Sequence, residues 1–140
     1  MTSEPGGHPK PSYEALVELD EITRRLRKEC PWDREQNERT IVPHTVEEAY
    51  ELADAANRGD DSKLVDELGD LLFAVVNVAR KLHVDPELAL RSSADRFRAR
   101  VDTGVELAAS EGRSWNDLPP DEQLIYYARA RLSEGGPRQQ

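Results

Sequence analysis

Glu48 and Glu51 form a carboxylate pair spaced by three, and after fifteen intervening residues Glu67 and Asp70 form another. Side chains three apart share a face of a helix. On a wheel turning about 100° per residue, Val46, Ala49, Tyr50, Leu52, Ala53 and Ala56 make one apolar arc with Glu48 and Glu51 at its edge. The following helical segment repeats the arrangement, with Leu64, Leu68, Leu71, Val75 and Val78 on the arc and Glu67 and Asp70 at its edge. If the two helices pack as an antiparallel pair, four carboxylates converge at the margin of the core. Such a cluster is unfavourable alone, because like charges at that range repel. Hard divalent cations, of which Mg²⁺ is the usual intracellular one, relieve it through oxygen ligation. Glu18/Glu21 and Glu35/Glu38 have the same spacing and read as a solvated face. Repetition beside two apolar arcs singles out the other two pairs. Gly69 adds to this, since glycine costs a helix interior about 1 kcal/mol relative to alanine and marks a close approach.

The elements that must position these residues follow from periodicity and punctuation. Leu16, Leu19, Ile22 and Leu26 recur at helical spacing, so a first helix is expected over about 13–28. Pro31 ends it and opens a loop over 30–36 that carries Trp32. A second helix is expected from about Pro43–Val46 to Arg58, with Gly59 as its left-handed cap and Asp60, Asp61 or Ser62 capping the next. That third helix runs to about Leu82, and Asp85-Pro86 starts a fourth that reaches about Glu111. A turn-rich loop around Trp115 leads to a short helix near 121–132. No segment alternates with period two, so no sheet is expected.

The whole chain bounds the answer. Its 140 residues suit one domain, expected over 13–132. Residues 1–12 hold three prolines and two glycines and 133–140 read SEGGPRQQ, so both ends are expected to be disordered tails. With 37% hydrophobic residues, 34% charged ones and few large rings, the composition fits a helical, oligomeric protein. A formal charge of −9 opposes non-specific binding to nucleic acid or an anionic membrane, and any phosphate ligand must bring cations. The single Cys30 excludes an intrachain disulfide framework and a Cys-rich zinc site. With no leader and no apolar stretch of membrane-spanning length, a cytoplasmic protein is expected.

Glu47-Glu48-Ala49-Tyr50-Glu51 followed by Glu67-Leu68-Gly69-Asp70 resembles the EExxE…ELGD signature of MazG-type nucleoside triphosphate pyrophosphohydrolases. Cys30-Pro31-Trp32-Asp33-Arg34-Glu35-Gln36 is similar to the CPWDxxQ element of the same family, in order and in register. The resemblance implies an all-α helical bundle whose site is completed in a homodimer or a dimer of dimers. It implies Mg²⁺-dependent hydrolysis of an NTP or dNTP between the α- and β-phosphorus atoms, giving a monophosphate and pyrophosphate, with Mn²⁺ able to substitute. Metal ligation and catalysis carry over to Glu48, Glu51, Glu67 and Asp70, and triphosphate contacts to Arg96 and Arg100. Lys63, one turn before Glu67 on the carboxylate side, matches a lysine in some members and is placed to touch phosphate. Where members commonly have Asn then Lys in the fourth helix, this chain has Ala94 and Arg96. Arg for Lys keeps the charge and alters the geometry of phosphate binding.

His44 is placed either to reach a phosphate or base or to make a contact at the start of the second helix. Trp32 is placed to stack on a base or to pack beneath its loop. A carboxylate-bridged di-iron bundle would need Glu-x-x-His pairs, and the chain has none. The remaining rival is a non-catalytic helical interaction module of the same fold, against which the retention of four like charges argues.

Overall fold

The computed structural model describes residues 13–135. Six α-helices follow in order: α1 (Glu14–Glu29), α2 (Pro31–Glu35), α3 (Glu38–Arg58), α4 (Asp61–Lys81), α5 (Pro86–Ser110) and α6 (Pro120–Ser133), with a 3₁₀ turn at Trp115–Asp117. No strand occurs among the described residues, and none of their helices is long and apolar enough to cross a membrane. The fold is all-α, as expected. The chain divides into two compact units, Met1–Pro86 and Glu87–Gln140.

In the first unit α3 and α4 form a helical hairpin. Gly59 closes α3 in the left-handed conformation (φ 68°), which glycine adopts without a Cβ penalty. The Asp60 side chain then accepts from the Lys63 N–H and starts α4. That bond, and next the Ser62 hydroxyl, hold the Asp60 carboxyl below the usual carboxylate range. Leu19 and Thr23 of α1, Ile41 and Ala55 of α3, and Ala74 and Asn77 of α4 are buried.

Two prolines separate the expected helix boundaries from the observed ones. Pro31 does not open a loop: it is the first residue of α2, where its missing N–H has no intrahelical partner to lose. Nor does α3 begin at Pro43–Val46. Its start is fixed upstream by a capping box, in which Asn37 accepts from the Arg39 N–H and Thr40 Oγ1 accepts from the Asn37 N–H. Ile41, 1% exposed, anchors that added turn, and Pro43 is carried inside the helix.

The second unit has its own small core of Ala108, Leu118 and Tyr126, with Leu107 and Trp115 packed against it. Tyr126 directs its hydroxyl to Glu111, which also takes the Arg129 guanidinium at 2.7 Å. Ser133 closes α6 and Glu134 pairs with Arg100, so the expected 133–140 tail begins with structured residues. The expected 1–12 tail and residues 136–140 lie outside the described residues. Gly104 matters here because a Cβ on it would stand 3.2 Å from Trp115 Cζ3 and 3.6 Å from the Tyr126 carbonyl carbon. A leucine at 104 is therefore expected to destabilise the protein by about 1–3 kcal/mol through overpacking, read as a lower midpoint in urea; an unchanged midpoint would mean that α5 can move away at no cost.

Candidate functional site

The carboxylates of α3 and α4 meet at the seam of the hairpin. Glu48, Glu67 and Asp70 each offer an oxygen, and the three oxygens lie within 4.8 Å of one another. Spacing does this: Glu67 and Asp70 stand one turn apart on α4 and Glu48 faces them from α3. The glutamates are largely covered, with side chains 17% and 12% exposed for Glu48 and Glu67. One oxygen of each has a nitrogen neighbour at 3.5 Å: the His44 imidazole Nε2 for Glu48 and the Lys63 ammonium Nζ for Glu67. The other oxygen of each is buried and has no hydrogen-bond partner. Two buried carboxylate oxygens without hydrogen-bond partners, on glutamates grouped with the exposed Asp70, make a hard-oxygen donor set of the kind a divalent cation takes. Carboxylates are the right donor class for Mg²⁺ or Mn²⁺, and among the described residues this is a group of carboxylates alone.

Glu51 takes a different place. It is exposed and lies on the wall of an adjoining cleft of about 360 Å³, together with Asp54, Ala55, Arg58, Asp60, Lys63 and Glu67. The structure thus groups three of the four expected ligands and sets the fourth beside them in the cleft. Lys63 lines that cleft as well. Sequence reasoning missed Arg58 and Asp54, which pair at 3.1 Å. The signal was present, since Glu51, Asp54 and Arg58 continue one helical stripe at steps of three and four.

Trp32 and His44 stand together, ring centroids 5.5 Å apart in an edge-on arrangement. Trp32 is 50% exposed, so it is not packed beneath α2. His44, on α3, touches Trp32 and Glu48 at once. Arg96 and Arg100 lie on α5 in the second unit. Arg96 donates to the Ser92 hydroxyl at 2.7 Å. Arg100 holds both Glu134 oxygens, at 3.0 and 3.2 Å, and its hydrogen bonds to Tyr127 and Glu134 bind its proton more tightly than usual.

A helical hairpin that gathers carboxylates at its seam defines a class of all-α acidic-site proteins, and the comparisons narrow it. Residues 36–103, just under half of the chain, match the MazG nucleotide pyrophosphohydrolase domain, and the chain is similar to that family through them. A nucleoside triphosphate pyrophosphohydrolase of Escherichia coli K12 is 53% identical over 62 residues, covering 42% of this chain and 24% of that protein. One of Mycolicibacterium smegmatis is 39% identical over 128 residues, or 90% of this chain and 38% of that one. The chain therefore spans well under half the length of these relatives. The crystal structure of a MazG-related protein from Thermotoga maritima aligns over 83% of this chain and 98% of that one, with a TM-score of 0.62 and 21% identity, a likeness of fold.

The electrostatics yield a prediction that needs no turnover. Glu48→Gln and Glu67→Gln each remove one of the mutually repelling charges, so in EDTA neither is expected to melt below the wild type. Millimolar Mg²⁺ is expected to raise the wild-type melting temperature by binding the folded state, and both variants should lose that rise, measured by scanning calorimetry. A variant that keeps the full Mg²⁺ response would leave the ligand set.

Proposed function

We propose that this protein is a Mg²⁺-dependent nucleoside triphosphate pyrophosphohydrolase, acting in the cytoplasm on NTPs or dNTPs to release the monophosphate and pyrophosphate and so to cleanse the nucleotide pool. The observation that carries this reading is the trio Glu48, Glu67 and Asp70, with two buried carboxylate oxygens that lack any partner. Matches to relatives named for this activity agree with it. The three carboxylates, with Glu51 from the cleft wall, would hold Mg²⁺, or Mn²⁺ in its place. When bound, the cation would neutralise phosphate charge and acidify a water for in-line attack at phosphorus.

The chain's own groups divide the remaining work. Lys63, on the wall of the cleft beside Glu67, meets the phosphates from the carboxylate side. Arg96 and Arg100 supply guanidinium charge for the departing pyrophosphate. Trp32, half open to solvent, offers its ring to the base, with the His44 ring edge-on to it. A carboxylate among Glu48, Glu51 and Glu67 accepts the proton from water.

Incubation with a panel of ribo-, deoxy- and oxidised triphosphates tests the reading directly. Pyrophosphate and monophosphate are expected in Mg²⁺ and nothing in EDTA, and Glu51→Gln and Asp70→Asn should each lower turnover at least a hundredfold with the helical circular dichroism intact. Phosphate as the product would overturn cleavage between the α- and β-phosphorus atoms, and no turnover on any substrate would overturn the reading and leave the non-catalytic module.

The same reading includes a homodimer or a dimer of dimers. Val65, Leu68, Leu72 and Val75 of α4 are 47–70% exposed, and a Cβ on Gly69 in that stripe would meet nothing within 4 Å. So open an apolar stripe is costly in water, and a second copy is the cover proposed. Light scattering at micromolar concentration should give about twice the 15.8 kDa chain mass or a multiple of that; the mass of one chain would refute the dimer.

A further inference from the structure

Asp33 is a charged residue only 1% exposed, in a helix of five residues. Its partners lie far along the chain. Lys81 Nζ sits 2.9 Å from Asp33 Oδ2 and also donates to the Asp33 carbonyl, while Asn77 Nδ2 donates to Oδ1 at 3.1 Å. Lys81 and Asn77 stand one turn apart on α4, with the Lys81 side chain 10% and Asn77 4% exposed. Side chain and backbone of one residue are thus gripped together from a single helix face.

This grip has a local consequence. A single helical turn has no stability of its own, so what fixes α2 in space is what it is fastened to. Arg34 to the Lys28 carbonyl and Gln36 to the Trp32 carbonyl tie α2 only to neighbouring backbone. The link to α4 is the Asp33 cluster. The residue before Asp33 is Trp32, whose half-exposed ring is not held by burial and meets the His44 ring, which in turn reaches Glu48.

We infer that the buried cluster of Asp33, Lys81 and Asn77 is a positioning device for the nucleotide site, fastening α2 to α4 so that Trp32 keeps its place against His44 beside the carboxylates. The inference rests on the reading of Trp32 as the residue that meets the base. A buried ion pair is poor at adding net stability over apolar packing, yet breaking it is costly; it suits a place where register matters more than net stability. Asp33, Lys81 and Asn77 touch no substrate and act through Trp32 alone.

Asp33→Asn keeps the shape and removes the charge. The Trp32 indole N–H resonance, assigned by its loss in Trp32→Phe, should shift or broaden in this variant without nucleotide present. The KM for the triphosphate should rise about tenfold while kcat stays within twofold, because the carboxylates are untouched. Lys81→Arg, which keeps the charge, should restore most of the wild-type KM relative to Lys81→Met. A loss confined to melting temperature, with KM and the Trp32 resonance unmoved, would overturn the inference. Should Asp33→Asn fail to fold, Asn77→Ser leaves the ion pair and removes one hydrogen bond, and the same shift in smaller degree is required of it. If the wild type turns over no nucleotide, the functional reading fails alone and the Trp32 resonance still decides the positioning role.

Discussion

Mutual repulsion among Glu48, Glu67 and Asp70 is the constraint around which the first unit is organised. Their oxygens lie within 4.8 Å of one another, a separation at which unit charges repel by about 1 kcal/mol in water and several-fold more near a protein surface. Left to themselves, α3 and α4 would splay at this level. The hairpin keeps them together from both sides of the cluster. The left-handed Gly59 and the capping Asp60 close one end tightly, while Ala55 and Ala74 lie buried within the unit. A conformation held against its own charge would take a cation with little rearrangement, and on the functional reading proposed above that suits the cluster to a small hard ion.

The faces of α4 show how one helix serves several demands. Ala74 and Asn77 turn inward, and Asn77 with Lys81 holds Asp33. Glu67 and Asp70 occupy the seam. Val65, Leu68, Leu72 and Val75 remain in water with Gly69 among them. A helix apolar over so much of its circumference has more surface to bury than one neighbour can cover.

Much of this was legible in the residues. Two carboxylate pairs beside two apolar arcs placed the seam, and Gly59 with Asp60 marked the turn, because capping chemistry is local and independent of the remainder of the fold. Pro31 and Pro43 misled for the same reason read in reverse. Proline is a local signal whose cost depends on position: at the first residue of α2 it is free, and inside α3 it is outweighed by the Asn37–Thr40 box and the buried Ile41. The Asp33 cluster had no local signal at all. Its members are 44 and 48 residues apart, and an aspartate beside an arginine in a short loop looks like any solvated charge until α4 is folded against it. Arg58 stands on a readable stripe with Glu51 and Asp54, though its place beside Gly59 marks it first as the end of a helix.

The cations near the cleft are already engaged by acidic partners: Lys63 with Glu67 at 3.5 Å and Arg58 with Asp54 at 3.1 Å. Both members of the Arg58–Asp54 pair are more than half exposed, and exposed pairs of this kind contribute only about 0.2–1 kcal/mol, so phosphate can take Arg58 at little cost. Lys63 is exposed but its partner Glu67 is largely covered, so its release depends on what else compensates Glu67. On the functional reading proposed above, the exchange has an order. While Glu67 is uncompensated, Lys63 is held on it and a triphosphate would meet net negative charge in a chain of −9. A divalent cation taken up by Glu67 removes the reason for Lys63 to stay, so the same event that lowers the negative charge of the seam frees an ammonium for phosphate. Cation and triphosphate then assist one another through a single side chain, and by linkage each raises the affinity for the other by the same factor.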